Sequence, residues 1–388
     1  MKKILHVTHT DIRFDNRIIK EIDALSAYNE FYVWGVGMSL DEGSAENSLN
    51  DVKAEIITLK VRSRKIKYLP KPVRHILTFF ELSIYVVQLY RKIQPQIIHC
   101  HDTLVLPIGW LIKKFNDKLI LIYDAHELES NKNGQTWLLS KITLVIEKIC
   151  WKKIDFLITV SPSILTWYTN NLGPKKSSII LNSPASHNFV CNENIEKNNF
   201  EKHYFNKKFA IPLEKNIYIY LGALTKGRCI DVLLDVFSSP DIFSHIIFIG
   251  FGPLKGKIID YTNLHFNIHY HDSVQHDLVV DLVKNADIGL CLIENVSLSD
   301  YYCLPNKLFE YTFSGLSILG SNFPDIAEVV EKYKLGNICN IDYDSIFTSI
   351  FNTQKYPKQK NQFEKIDELS WEKQSENLIN AYKNLLFN

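Results

Sequence analysis

Asn216-Ile217-Tyr218-Ile219-Tyr220-Leu221-Gly222-Ala223-Leu224-Thr225-Lys226-Gly227-Arg228 reads as a buried β-strand running into a glycine loop. The Ile, Tyr and Leu run suits a strand, and the glycines free the backbone to turn. Cys229–Phe237 then follows as a helix. Strand, loop and helix in that order form the repeating unit of a parallel sheet covered by helices. Lys226 and Arg228 set two cations at the carboxyl end of the strand, where an anion can be held, although such a loop can also simply turn a corner.

The same alternation extends in both directions. Downstream, strands are expected at His245–Ile249, Asn267–Tyr270, Ile288–Ile293 and Ser317–Leu319. Upstream they are expected at Lys3–His9, Phe31–Val36, Glu55–Lys60, Gln96–His101, Leu119–Asp124 and Phe156–Val160. Helices fall between them. Arg17–Tyr28 carries Ile18, Ile22 and Leu25 at helical spacing, and Leu138–Lys153 carries Ile142, Val145, Ile146 and Ile149. Ser161 and Pro162 open another helix, with Gly173 as its stop. Two sets of strands predict two domains, residues 1–185 and 216–368, joined by a linker over 186–215 that is rich in Asn, Lys and Pro. The last helix, about 369–388, has Leu378, Tyr382 and Leu385 on one side and is expected to pack back on the first domain.

The chain of 388 residues fits two to three domains at roughly 150 residues each. Its 46% hydrophobic and 22% charged residues exclude a disordered or fibrous protein. Glycine is scarce at 15 residues, and nine of these lie between Gly222 and Gly336. A net charge of +1 gives no global field for nucleic acid. Seven cysteines without a C-x-x-C pair argue against a disulfide scaffold or structural zinc, so a cytoplasmic location is expected. His75–Tyr90 is apolar but too short to span a bilayer, and it is expected to be a core helix with Leu77, Phe80, Ile84 and Val87 facing in. Around it, Arg62–Lys92 holds eight basic residues and the single acid Glu81. An anionic membrane surface and a merely solvated basic face explain that excess equally.

Three further stretches carry chemistry. In Leu304-Pro305-Asn306-Lys307-Leu308-Phe309-Glu310-Tyr311, Pro305 opens a helix whose N-terminus can receive phosphate. Asn306, Lys307 and Glu310 share a face there, and the alternative is a plain Lys–Glu helix pair. Gly250-Phe251-Gly252-Pro253 is a tight turn after a strand. In the first half, His99, His101 and Asp102 end one strand and His126 and Glu127 end the next. His101 and Asp102 are expected in a cleft, with His99 on the opposite side of its strand. Asp342-Tyr343-Asp344 imitates a metal-binding Asp-x-Asp, but a helix N-cap explains it better.

In these places the sequence resembles the retaining glycosyltransferases of the GT-B architecture, in particular the family 4 enzymes of bacterial surface-polysaccharide synthesis. The likeness covers Gly222 with Arg228 six residues on, Gly250–Pro253, Pro305–Tyr311, Ile98–Asp102, Tyr123–Leu128 and Asp11–Glu21. It implies an α/β fold of two Rossmann-like doubly wound domains facing a central cleft. It also implies transfer of a sugar from a UDP- or GDP-linked donor to a saccharide or lipid-linked acceptor, with no divalent metal and no further cofactor. His126, Arg228 and Lys307 would be catalytic, and Gly222, Lys226, Gly250, Gly252, Pro305, Asn306 and Glu310 would bind the donor. Asp11, Arg13, Asp15, Asn16, His101, Asp102 and Glu127 would lie on the acceptor side. Two departures stand out: Ala223 replaces the family's usual arginine, and Tyr302 replaces the first of its two glutamates. A nucleotide-sugar epimerase or hydrolase, and a silent nucleotide-sugar-binding module, are the alternative readings.

Overall fold

A computed structural model describes residues 1–39, 54–66, 68–184, 200–275, 278–354 and 366–387. Two compact domains divide the chain, Met1–Ile180 with Ser375–Asn388 and Leu181–Gln374.

In the first domain the strands are β1 (Lys2–Val7), β2 (Phe31–Met38), β3 (Ala54–Leu59), β4 (Ile97–His101), β5 (Ile120–Ala125), β6 (Phe156–Thr159) and β7 (Lys176–Ile179). All are parallel, in the order β3-β2-β1-β4-β5-β6-β7. The helices are α1 (Asn16–Ala27), α2 (Lys71–Ile93), α3 (Leu106–Phe115), α4 (Trp137–Trp151) and α5 (Pro162–Leu172). As the spacing predicts, α1 buries Ile18, Ile22 and Leu25, and Ser161 caps α5 by accepting from the Ile164 amide. The order reverses between β1 and β4. At such a switch point the crossovers leave toward opposite sides, and the carboxyl ends of the strands open a crevice.

The second domain holds α6 (Tyr204–Phe209), β8 (Ile217–Leu221), α7 (Ile230–Phe237), β9 (His245–Ile249), α8 (Lys255–Leu264), β10 (Ile268–His271), α9 (Val279–Val283), β11 (Ile288–Cys291), α10 (Leu298–Tyr301), α11 (Asn306–Phe313), β12 (Ser317–Ser321), α12 (Pro324–Lys332), β13 (Gly336–Cys339) and α13 (Tyr343–Thr353). Its parallel sheet runs β10-β9-β8-β11-β12-β13, with the switch point between β8 and β11. Alternate residues feed two separate cores. Ile217, Ile219, Ile247 and Ile249 enter one, and Tyr218, Tyr220, Ile246 and Phe248 enter the other. A sheet buried on both faces has no polar side, which is why these strands read as unbroken apolar runs.

The structure corrects several expectations. The linker is shorter than 186–215. Residues 185–199 lie outside the described residues, but Phe205 and Ile211 are buried in the second core, so that part of the stretch belongs to the domain. On α2, Leu77, Phe80 and Ile84 are exposed, while Thr78, Leu82, Val86, Leu89 and Ile93 face the sheet. On α4, Ile142, Val145 and Ile149 are likewise exposed. The last helix, α14 (Trp371–Phe387), buries Leu378 and Tyr382, with Tyr382 tilted against Phe31 of the first domain.

Candidate functional site

In the first domain a chain of imidazoles and carboxylates runs along the carboxyl ends of the strands. The register aligns His6 of β1 with His99 of β4, and His101 of β4 with Asp124 of β5, so all four project from one face. His99 and His101 are two residues apart and therefore on the same side, not opposite sides. Their rings stack at 4.2 Å. His6 Nδ1 lies 2.9 Å from His101 Nε2, and His101 Nδ1 lies 3.1 Å from His126 Nε2. The Tyr382 hydroxyl meets His99 Nδ1 at 2.6 Å.

Arg17 of α1 organises this cluster. Its guanidinium donates to both oxygens of Asp124, at 3.3 and 3.1 Å, and to the Ile180 carbonyl at 2.9 Å. It also pairs with Glu21 at 3.1 Å. Burial opposes ionisation of Asp124, but Arg17 and then His126 outweigh it and hold that carboxyl well below its usual range. Burial alone would also lower the pKa of His126. Asp124, 3.1 Å from its Nε2, and Asp102, 3.8 Å from its Nδ1, raise it to about 10 instead. His126 is thus a held imidazolium at the end of β5. Glu127, beside it in sequence, is exposed, and the carboxylates that face the ring are Asp124 and Asp102.

The first loop spends most of its charge on itself. Asp11 accepts two bonds from the Arg13 guanidinium, at 2.9 and 2.6 Å. Asp15 caps α1 by accepting from the Ile18 amide, and Asn16 is the exposed first residue of that helix. Among the described residues two groups satisfy the distances for a metal ion: His6, Glu21, His99 and His101, and His101, Asp124 and His126. The chemistry fits poorly. Imidazole lone pairs lie in the ring plane, so stacked rings cannot aim at one ion. The Arg17 guanidinium already pairs with both carboxylates, Glu21 and Asp124.

In the second domain the groups gather at the β8/β11 switch point. Lys226 is exposed on the loop after β8. The Arg228 Nη1 donates to Asp300 Oδ1 at 2.9 Å, and Ser297, the N-cap of α10, donates its hydroxyl to Asp300 at 2.8 Å. The Lys307 ammonium lies 4.4 Å from the centre of the Tyr220 ring, and its partial burial favours the neutral form and lowers its pKa. Lys307 stands in the first turn of α11, which Pro305 precedes and no side chain caps. Glu310 is buried one turn further on, and Asn306 is exposed. The helix is tied to β8 by Tyr311, whose hydroxyl accepts from the Leu221 amide at 2.8 Å and donates to the Ile219 carbonyl at 3.3 Å. Gly289 makes that possible, because a Cβ there would stand 2.2 Å from the Tyr311 ring. Sequence reasoning missed Arg17, Asp124, Asp300 and Tyr311 as organisers, since their partners are remote in the chain.

Gly250 and Gly252 make a backbone contact that the local sequence does not announce. At φ of 149° and 151° they lie against the preceding loop, and an added Cβ would meet the Gly222 carbonyl oxygen at 1.9 Å or the Leu224 oxygen at 2.4 Å. Their small size lets two backbone loops pair, with the Gly222 and Leu224 amides donating to Ile249 and Phe251. Gly250→Ala is expected to destabilise the second domain by about 2–5 kcal/mol, from strain and overpacking together. Its urea midpoint reports this, and an unchanged midpoint refutes the packing role. Asp342 caps α13 by accepting from the Ser345 amide, as expected of a cap.

No protein-family profile matches the chain. A chitobiosyldiphosphodolichol beta-mannosyltransferase of Candida glabrata is 22% identical over 352 residues, covering 81% of this chain and 75% of that protein. Sucrose-phosphate synthase of Thermosynechococcus elongatus superposes with a TM-score of 0.77 at 14% identity, over 99% of each chain. Anabaena HepE in complex with UDP gives a TM-score of 0.62 at 12% identity, over 99% of this chain and 94% of that one. The fold is therefore that of the GT-B glycosyltransferases, two Rossmann-like domains each built on a parallel sheet. Among the described residues no helix is long and apolar enough to cross a membrane.

Proposed function

We propose that the chain is a glycosyltransferase that moves a sugar from a nucleotide sugar to a saccharide or lipid-linked acceptor. The observation that carries this is the pairing of Arg228 and Lys307 at a sheet switch point, beside the uncapped N-terminus of α11. The hard part of the reaction is the charge that grows on the leaving diphosphate. Two cations and a helix N-terminus already in place stabilise it without reorganisation. In this reading Gly222, Lys226, Pro305 and Asn306 lie along the diphosphate, Glu310 takes the ribose, and Gly250 and Gly252 shape the loop beneath. His126 meets the sugar near the reacting carbon, with Asp102 and His101 behind it, while Asp11, Arg13, Asp15, Asn16 and Glu127 remain on the acceptor side. These charges need no divalent metal to assist them.

Retention at the anomeric carbon, a UDP or GDP donor, bacterial surface-polysaccharide synthesis and attachment at the inner membrane face through 62–92 complete the proposal. The name of the fungal relative favours a second stereochemical reading, since for an α-linked donor a β product means inversion. A calorimetric panel of UDP, GDP, ADP and CMP with their sugar conjugates, with and without chelator, tests the reading. One nucleotide sugar should bind equally in both conditions. No binding by any of them, or binding lost to chelator, overturns it.

A further inference from the structure

We propose that α2, α3 and α4 of the first domain form one docking face for an anionic lipid bilayer, with α4 as its centre. This goes beyond the basic segment 62–92 and does not depend on sugar transfer. On α4, Leu138, Ile142, Val145 and Ile149 are spaced by four, three and four residues, so they fall in one stripe. Each is between 46% and 61% exposed. On α2, Ile76, Phe80 and Ile84 form a matching stripe at 56% to 60% exposure. Between the two helices α3 packs on both and adds Phe115, 83% exposed. Amphipathic helices on a sheet normally turn such stripes to the core, and these turn them to solvent.

The charges select the partner. Each outer helix carries one acid, and each is engaged by hydrogen bonds within the domain. Glu81 accepts from the Arg62 and Ser63 amides. Glu147 is buried and accepts from the Tyr123 and Tyr168 hydroxyls. Lys141, Lys148 and Lys152 are left exposed beside the aliphatic stripe of α4, with Lys71, Arg91 and Lys92 on α2. Lys141 lies over the exposed Trp137 ring at 4.0 Å. The acid at the rim, Asp117, is paired with Lys153. Aliphatic and aromatic side chains with flanking lysines match the interface of an anionic leaflet. A second copy of the same face would set lysine against lysine. No described helix is apolar enough to cross, so the helices would lie in the surface.

Flotation of the full chain with vesicles of phosphatidylglycerol and phosphatidylcholine, or of phosphatidylcholine alone, tests the proposal. Wild type should float with the anionic vesicles alone. Each lysine near such a surface strengthens binding by about fivefold, so Lys141→Glu/Lys148→Glu/Lys152→Glu should weaken it at least about a hundredfold. Ile142→Ser/Val145→Ser/Ile149→Ser should also abolish flotation. All these positions are exposed, and an unchanged unfolding midpoint confirms that the variants fold. Failure of wild type to float, equal flotation with neutral vesicles, or flotation of both variants like wild type overturns the proposal. A wild-type dimer that the apolar variant turns into a monomer assigns the face to self-association and also overturns it. Nucleotide-sugar binding measured on the same variants should be unchanged, which separates failure here from failure of the transferase reading.

Discussion

Asp124→Ala should lower the stability of the first domain by about 3–5 kcal/mol, the usual consequence of removing one partner from a buried ion pair. Asp124 is fully buried and receives Arg17 and His126 at once. Without it, Arg17 keeps only Glu21 and a carbonyl, and His126 loses its nearer carboxylate. The pH profile identifies the cause. Asp124, depressed when folded, contributes stability above the ordinary carboxyl pKa of about 3.9, and this is lost as pH falls through its folded value. His126, raised to about 10, contributes below its ordinary value of about 6.5, and this is lost as pH rises through 10. Glu21, held up to about 8 first by burial and then by Asp124, adds to the alkaline loss. Wild type should therefore lose stability as pH falls, through the buried neutral His6, His99 and His101 below about 6.5 and Asp124 below about 3.9, and as pH rises, through Glu21 between about 4.3 and 8 and His126 between about 6.5 and 10. In Asp124→Ala both limbs should flatten. Urea unfolding from pH 3 to 10 measures this, and a variant with parallel limbs shows that the network is not the source.

Lys307→Ala and Arg228→Ala should each reduce transfer turnover by about 10²–10³-fold, the range found when one preorganised charge-stabilising donor is removed. Both cations can act on a diphosphate more strongly as it leaves than while it is bound, so kcat should fall more than KM rises. Glu310→Ala should do the reverse, because a bond to a ribose is made equally in ground and transition states. Arg228 already has a partner in Asp300, so donor binding must compete for it or share it. Steady-state rates at saturating acceptor, with the donor chosen by the binding panel, decide the matter. If all three variants turn over like wild type, the second-domain site is not the transfer site.

Much of the second domain's site was legible from local sequence. A glycine loop after an apolar strand and a proline before a Lys/Glu helix are signals within a few residues of one another. The first domain's site was not. Arg17 reads as a charge at the start of an amphipathic helix, yet it is the buried centre of a cluster drawn from α1, β4 and β5. Asp124 reads as the last polar residue of a strand. Its partners are 107 residues upstream and two residues downstream, and only sheet register brings them together. The glycine turn at 250–252 was legible, but its contact with the preceding loop was not. What fills the space beside it is the neighbouring loop's backbone, which no local pattern announces.

The sequence by itself determined the two parallel α/β domains, eleven of the thirteen described strands, and the placing of Arg228, Lys307 and Glu310 in the loop and helix that follow strands of the second sheet. Period, caps and turn residues act over a few residues, and they are written locally. The tertiary structure alone decided which faces of α2 and α4 are inside. The stripes on α2 and α4 have the spacing of core stripes, and period cannot say whether the sheet lies on that side or the other. That choice follows from where Leu82, Val86 and Leu89 meet the sheet and where Glu147 finds two tyrosine hydroxyls. A buried carboxylate must be hydrogen-bonded, and satisfying it turned the aliphatic face of α4 to the outside.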